Sequence, residues 1–230
     1  VGGDTLVMVS RDGLGLTDSD SIGITVTQVN DAPSGTDRTI SLLEDSSYTF
    51  ARSDFGFVDA PGEGNNFVSV TVGPTGVGTL TLNGVTISGP TVVTVAQLNS
   101  GLLRFTPAAN ASGNSYTSFT FQVRDDGGTA SGGVDTDPTP NTITFNVSPV
   151  NDAPVNTVPG AQTTNEDAGK VIAGLAINDA DAGSGAMSVL LAVTNGTLTV
   201  TGGSATISGS GTSSVTLTGT MAQINATLAA

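Results

Sequence analysis

The chain of 230 residues is long enough for one large domain or two ordinary ones, and it has no cysteine, histidine or tryptophan. Its formal net charge of −14 disfavours a nucleic-acid binder, which needs a basic face, and an anionic membrane surface would repel it. The missing cysteines exclude disulfides, thiolate nucleophiles and the usual structural zinc sites. No apolar run approaches the roughly 20 residues that span a bilayer, so no membrane insertion is expected.

Strand signals recur along the central part of the chain. Thr, Val, Ser and Gly dominate the composition, which favours β-strands and turns over helices. Apolar and polar residues alternate in short segments separated by Gly, Asn, Asp and Pro, as in half-buried antiparallel strands. In chain order, the predicted strands are 38–43, 47–50, 67–73, 78–84, 91–95, 102–106, 116–124 and 141–147. The segment "VAQLNSG" (95–101) predicts a single helical turn.

This pattern predicts an all-β fold, an antiparallel β-sandwich of the immunoglobulin type. Short strands punctuated by turn residues at regular spacing are typical of that fold. A β-barrel would also satisfy the number of strands.

The pentapeptide "VNDAP" occurs twice, at 29–33 and 150–154, and marks an internal repeat. Other pairs of segments lie at similar offsets, so the period is near 120 residues. The matching pairs are "GTLTL" (78–82) with "GTLTV" (196–200), "VAQLN" (95–99) with "MAQIN" (221–225), and "SRDGLG" (10–15) with "VRDDGG" (123–128).

The repeat predicts three segments of a tandem string. Residues 33–153 form one complete sandwich, 1–32 match the C-terminal part of such a unit, and 154–230 match its N-terminal two-thirds. We therefore expect that strands equivalent to 1–28 complete the unit of 155–230, along one polypeptide or between subunits.

Acidic and amide side chains gather near the two expected domain junctions. Carboxylates close together repel one another, and Ca²⁺ takes six to eight oxygen ligands, so the clusters predict calcium sites that stiffen the joints. Around the first pentapeptide the candidate ligands are Asp12, Asn30, Asp31, Glu44, Asp45, Asp59 and Glu63. Around the second they are Asp125, Asp126, Asn151, Asp152, Glu166, Asp167, Asp179 and Asp181.

Asp and Asn are also common turn residues, because their side chains bind nearby backbone amides, and this alternative stays open. Asp18 and Asp20 are better explained as solvated turn residues, whereas Asp135 and Asp137 form a second acidic loop that could bind an ion. The EF-hand pattern is absent, so any calcium site combines loops from different parts of the chain.

Catalysis is not expected. The chain has neither His nor Cys, and its Ser and Thr residues lie in alternating strands or Gly-rich turns without an activating motif. The acidic groups could in principle hydrolyse glycosides, but they recur at both junctions, which suits a structural role better.

These motifs together resemble the cadherin-like tandem repeats of giant bacterial surface and RTX-type adhesins. The resemblance is carried by "VNDAP", "LED" (43–45) or "NED" (165–167), "FVDAPGEG" (57–64), "LRFTPAAN" (103–110) and "VRDDGG". It implies calcium near the linkers and a secreted, extracellular protein of the bacterial cell surface, exported by a type I route. The cadherin linker reads Asp-x-Asn-Asp-Asn, and only its central Asn-Asp is kept, which implies fewer calcium ligands per junction.

The function implied is a calcium-stiffened extender that holds adhesive regions away from the cell. Its partners would be neighbouring repeats, and other regions of the protein would bind a host or bacterial surface ligand. The alternative is a structural protein of a surface fibre or layer, self-assembling by strand complementation between copies.

Overall fold

The computed structural model describes residues 2–230, and within that range the chain folds into sixteen strands and two α-helices. Short 3-10 turns lie at Arg52–Phe55 and Ala130–Gly132. The strands are β1 (Gly2–Arg11), β2 (Thr17–Val26), β3 (Arg38–Leu43), β4 (Tyr48–Thr49), β5 (Phe67–Val72), β6 (Thr79–Leu82), β7 (Val85–Thr86), β8 (Thr91–Thr94), β9 (Leu103–Thr106), β10 (Gly113–Asp125), β11 (Asn141–Ser148), β12 (Val155–Thr157), β13 (Ala176–Asn178), β14 (Ala186–Ala192), β15 (Thr206–Ser208) and β16 (Ser214–Thr220). The helices are α1 (Val95–Asn99) and α2 (Met221–Leu228).

The chain divides into two units, the first ending at Pro149 and the second running from Val150 to Ala230. In the first unit two open sheets have the strand orders β3-β11-β10-β5-β8 and β4-β9-β6-β7. The predicted all-β sandwich is thus confirmed, and the barrel alternative is wrong. One detail differs from the antiparallel prediction, because β3 pairs with β11 in parallel.

The core of the first unit lies between these two sheets. Phe105 of β9 stacks on Phe145 of β11 with their ring centroids 3.9 Å apart, so the two sheets meet at this pair. Phe50 adds edge-to-face contacts with Phe119 and Phe145, at 5.6 and 6.1 Å. Alternate residues of β10 and β11 are buried, which is why the alternation in the sequence predicted these strands correctly.

The predicted helical turn is α1, and the two units begin their helices in the same way. The Thr94 hydroxyl accepts a hydrogen bond from the Gln97 amide, and the Gln97 side chain binds back to Thr94. Thr220 and Gln223 form the same capping box at the start of α2. This arrangement satisfies amide groups that the first helical turn would otherwise leave unpaired.

Strands β1 and β2 form a hairpin that pairs with no other strand of the described chain. All twenty residues of the two strands are exposed, including large apolar side chains. These apolar side chains are Leu6, Val7, Met8, Val9, Ile22, Ile24 and Val26. The hairpin is therefore ordered by its own hydrogen bonds and not by burial in the sandwich.

The second unit has a smaller core, formed by Ile177, Val215, Leu217 and Ile224. Its strands form a β12-β13 pair and a three-stranded sheet in the order β14-β16-β15. Helix α2 is anchored by Asn225, whose side chain exchanges hydrogen bonds with both backbone groups of Ile177 at 2.9 Å. Among the helices of residues 2–230, none is long and apolar enough to cross a membrane.

Candidate metal centre

The first pentapeptide is held against the end of β10 by Asn30. The side-chain amide of Asn30 donates to Asp125 Oδ1 at 3.1 Å and to the Val134 carbonyl at 2.7 Å. In return, the Val134 amide donates to the Asn30 carbonyl at 2.9 Å. Asn30 thus fastens the pentapeptide to the loop after β10, and it brings a carboxylate within reach of the linker.

The loop before β5 supplies the other side of this site. Glu63 accepts the Asp31 amide with both carboxylate oxygens at 3.0 Å, and its Oε2 accepts from the Asn65 side chain at 3.2 Å. The Asn65 side chain also donates to Asn30 Oδ1, and the Asn65 amide donates to Asp59 Oδ2 at 2.6 Å. We call these residues (Asn30, Asp31, Asp59, Glu63, Asn65 and Asp125) the linker cluster.

Two carboxylate oxygens of the linker cluster are buried without a partner. Asp59 Oδ1 and Asp125 Oδ2 have no hydrogen-bond partner among the described residues, although buried polar atoms are normally paired. Burial raises the pKa of Asp125, and the nearby Asp59 and Asp135 carboxylates raise it further. Hydrogen bonds from the Gly127 amide and from Asn30 act in the opposite direction. Two acids thus share a site that no basic side chain neutralises by an ion pair within the described chain.

A cleft of about 190 Å³ adjoins the linker cluster, lined by Gln28, Asn30, Glu63, Asn65 and Gly127. Gly127 permits this close approach, because a Cβ atom there would overlap the side chains of Asn30 and Asn65. The sequence requirement for glycine therefore comes from the site itself.

Asp126 lies beside the linker cluster but is already paired. Its Oδ1 accepts the Asn66 amide at 2.6 Å, and its Oδ2 accepts from the Asn66 side chain at 3.1 Å. These two hydrogen bonds lower the pKa of the Asp126 carboxyl. Asp126 thus connects the loop after β10 to the start of β5 through these hydrogen bonds.

Asp125 and Asp126 do not lie where the sequence analysis grouped them. The sequence pattern groups them with the second pentapeptide, but the structure brings them to the first, because β10 runs antiparallel to β11. The start of β10 pairs with Val147, close to the second pentapeptide. The end of β10 therefore lies at the opposite end of the sandwich, next to Asn30.

Three other acids predicted for the first pentapeptide lie elsewhere. Asp12 caps the turn of the β1-β2 hairpin, where its Oδ1 accepts the amides of Leu14 and Leu16 at 2.9 and 2.8 Å. The Glu44 amide donates to the Ser148 carbonyl at 3.1 Å, so Glu44 lies at the end of the unit that leads to the second pentapeptide. Asp45 follows it and is exposed. Because β3 runs parallel to β11, both strands end at the same end of the sandwich, and this places Glu44 and Asp45 there.

In the second unit, the second pentapeptide meets the "DAD" loop. The Asp152 amide donates to Asp181 Oδ2, and Asp179 Oδ1 accepts the amides of Asp181 and Ala182, both at 2.9 Å. Asn151 is exposed and donates to the Asp152 carbonyl. Three of the predicted ligands, Asp152, Asp179 and Asp181, are therefore neighbours.

Glu166 and Asp167 lie in an exposed segment of the second unit, apart from any strand. Asp167 has a positive φ of 58°, a conformation that Asp tolerates in turns.

The acidic loop of Asp135 and Asp137 has a structural role. Arg124 donates to Asp135 Oδ2 at 2.9 and 2.6 Å, and this contact lowers the pKa of the Asp135 carboxyl. Asp137 accepts the amides of Gly35 and Thr139, both at 2.9 Å. Oxygens of both acids that could bind an ion thus accept hydrogen bonds from β10, from the loop itself and from Gly35 after the first pentapeptide.

The sequence-based prediction does not include Asn65, which donates hydrogen bonds to Asp59 and Glu63 of the linker cluster, or Asn66, which binds the adjacent Asp126. The dipeptide "NN" directly before a predicted strand was the available signal, since paired amides at a strand end often bind neighbouring loops. Within residues 2–230, no group of three or more acids already has a geometry that could hold a metal ion. A cation in the linker cluster would therefore need amide and carbonyl oxygens in addition to carboxylates.

No protein-family model matches the chain, and no curated protein matches it. Among solved structures it is similar to the extracellular cadherin domains 1–4 of protocadherin gamma B7, with a TM-score of 0.44 and 19% identity. The match covers 95% of this chain and 49% of that chain, so this protein spans about half of the solved one. The assignment as an all-β sandwich rests on the sheets themselves, and the relation to bacterial adhesins stays a prediction.

Proposed function

We propose that the protein is a calcium-stiffened extracellular repeat of a large bacterial surface adhesin. In this function it extends the molecule and carries adhesive regions away from the cell, without catalysis. The observation that carries the proposal is the pair of buried, unpartnered oxygens, Asp59 Oδ1 and Asp125 Oδ2, beside the first pentapeptide.

The chemistry of the linker cluster suits a hard divalent cation. Ca²⁺ takes carboxylate and amide oxygens in flexible geometry, and the cluster offers Asp59, Glu63, Asp125 and the Asn30 side chain. A cation would offset the mutual repulsion of Asp59 and Asp125, which here contributes to the raised pKa of Asp125. It would supply positive charge and would tie together two loops and the linker.

Such a cation would restrict the joint between the β1-β2 hairpin and the sandwich. Residues 27–33 connect the two, and no residue from Thr27 to Asp31 belongs to a strand. Asn30 and Asp31 already contact Asp125 and Glu63, so ligation of those carboxylates would hold the linker more tightly. This role as a brace requires neither a catalytic group nor a substrate pocket.

Calcium titration of the full chain by calorimetry tests the proposal. We expect saturable binding by the wild type and affinity at least about tenfold weaker in Asp59→Asn, because the variant removes a charged oxygen that has no protein partner. Asp18→Asn is the matched control, since Asp18 is exposed on β2 outside the linker cluster. Its affinity should equal that of the wild type.

Hydrogen exchange locates the binding. Calcium should slow exchange of the amides in 28–33, 59–66 and 125–134, and leave those of the 74–77 loop unchanged. Absence of binding, or equal loss of affinity in Asp59→Asn and Asp18→Asn, would contradict the linker cluster as the site.

A further inference from the structure

Glu63 lies within residues 59–65, which we call the clamp loop, and its carboxylate holds the backbone of the linker. The Asp31 amide lies 3.0 Å from Oε1 and 3.0 Å from Oε2, so its N–H is directed between the two oxygens. A charged acceptor makes this contact stronger than a hydrogen bond between neutral groups. Oε2 also accepts a hydrogen bond from the Asn65 side chain at 3.2 Å. Both oxygens of Glu63 thus bind protein groups.

The geometry of this contact limits how Glu63 can bind a cation. A Ca²⁺ ion bound by both oxygens of one carboxylate lies between them, in the position that the Asp31 N–H takes here. While Glu63 holds Asp31, only a single oxygen can therefore bind a cation. Asp59 and Asp125 differ in this respect, because each has a buried oxygen without a partner among the described residues. The two Asp side chains are thus suited to bind a cation, and Glu63 is suited to hold the linker.

Two further contacts of the clamp loop extend this hold along the linker. The Asn65 side chain donates to Asn30 Oδ1, and the Gln28 side chain donates to the Gly62 carbonyl at 3.5 Å. Asn30 in turn donates to Asp125 Oδ1 at 3.1 Å. All these contacts join protein groups, so none of them requires a cation. The clamp loop thus contacts three different residues of the linker.

Hydrogen bonds within the clamp loop fix the position of Glu63. Asp59 Oδ2 accepts the Asn65 amide at 2.6 Å, which joins the two ends of the loop. Inside it, the Glu63 amide donates to the Ala60 carbonyl at 3.3 Å. The loop therefore has its own support, and it places the Glu63 carboxylate beside the linker.

We propose that Glu63 is a positioning residue, which holds Asp31 and thereby keeps the linker against the sandwich whether or not a cation is bound. Through the linker it also places the Asn30 side chain beside Asp125. A cation then meets a linker that is already ordered, which lowers the entropy cost of its binding. The inference goes beyond the proposed function, because it holds even if the chain binds no calcium.

Solvent exchange of individual amides, measured by NMR on the full chain in EDTA, tests the proposal. The Asp31 amide should exchange at least about tenfold faster in Glu63→Ala than in the wild type, because its hydrogen bond to a carboxylate is lost. The Val134 amide, which donates to the Asn30 carbonyl, should also exchange faster in the variant. Val134 reports on the linker as a whole, because its partner is Asn30 and not Glu63.

Two further variants control this experiment. Glu63→Gln keeps one acceptor oxygen, so its exchange rates should lie between those of the wild type and of Glu63→Ala. Asp18→Ala removes an exposed acid from β2 and should exchange as the wild type does. Unchanged amide chemical shifts of β11 show that the sandwich stays folded in each variant. If Glu63→Ala does not fold, the comparison of Glu63→Gln with the wild type decides.

Equally fast exchange of the Asp31 amide in the wild type and in the Glu63 variants would overturn the proposal. Faster exchange at Asp31 with Val134 unchanged would also overturn it, because Glu63 would then hold one amide without positioning the linker.

Calcium titration separates positioning from ligation. Glu63→Gln should lose less calcium affinity than Asp59→Asn, because Glu63 uses its oxygens mainly for the linker. An equal or larger loss would make Glu63 a principal ligand and would contradict its assignment as a positioning residue. Absence of calcium binding would contradict the proposed function alone, and the exchange rates in EDTA would still decide the role of Glu63.

Discussion

Replacing Phe145 by alanine is expected to lower the free energy of unfolding of the first unit by about 3–5 kcal/mol. Phe145 is fully buried and joins the two sheets through its stack on Phe105, with further contacts to Phe50 and Phe119. The cavity left by the ring cannot be filled without moving both sheets. Urea unfolding followed by tyrosine fluorescence measures the loss, because Tyr48 and Tyr116, the two tyrosines of the chain, both lie in the first unit.

Ile24→Ala is the matched control for Phe145→Ala. Ile24 occupies the same position of the repeat but is 45% exposed on the β1-β2 hairpin. At low protein concentration this variant should change the free energy of unfolding by less than about 0.5 kcal/mol. A similar loss in both variants would mean that the hairpin is packed into a core in solution.

Asp125→Asn is expected to change stability in opposite directions with and without calcium. Without calcium, the variant removes a buried charge whose Oδ2 lacks a partner, and it keeps the oxygen that Asn30 and Gly127 bind. We expect a gain on the order of 1 kcal/mol in EDTA at neutral pH. In calcium the variant should be less stable than the wild type, because a ligand is lost.

The pH dependence follows from the raised pKa of Asp125. The native state holds the Asp125 proton to a higher pH than the unfolded state does. This group therefore lowers the stability of the wild type as the pH rises from the ordinary Asp value, about 3.9, through the raised pKa.

In EDTA the stabilities of Asp125→Asn and the wild type should converge at low pH and separate as the pH rises. Melting temperatures of the wild type, Asp125→Asn and the control Asp18→Asn, recorded across pH in EDTA, measure this difference in stability. A variant that is less stable than the wild type in EDTA at neutral pH would refute the repulsion argued for Asp59 and Asp125.

Much of the fold could be predicted from the sequence, because each strand has one face in the core. Alternating apolar residues located β3, β5, β10 and β11, and the segment "VAQLNSG" located the helical turn α1. The short β7 was missed, since two exposed residues carry no alternation. The parallel pairing of β3 was also missed, because pairing direction leaves no mark in the pattern of one strand.

The candidate site was predicted by residue type but not by position. Asn30, Asp31, Asp59 and Glu63 form one group in the sequence-based prediction, and hydrogen bonds through the Asp31 amide and Asn65 place them together in the structure. Asp125 was placed at the wrong end, because its position depends on the direction of β10 within the sheet. The ion pair of Asp135 with Arg124 depends on the path of a long loop, which spacing does not specify.

Thermal melting of the full chain in calcium and in EDTA tests the central claim most directly, with tyrosine fluorescence reporting the first unit. At a hundredfold excess of calcium over its dissociation constant, the melting temperature should rise by about 5–10 °C. Magnesium at the same concentration should give a smaller rise, since Mg²⁺ demands a stricter octahedral geometry. An equal melting temperature in calcium and EDTA would contradict the claim that the linker cluster holds a cation and would leave its acids as turn and surface residues.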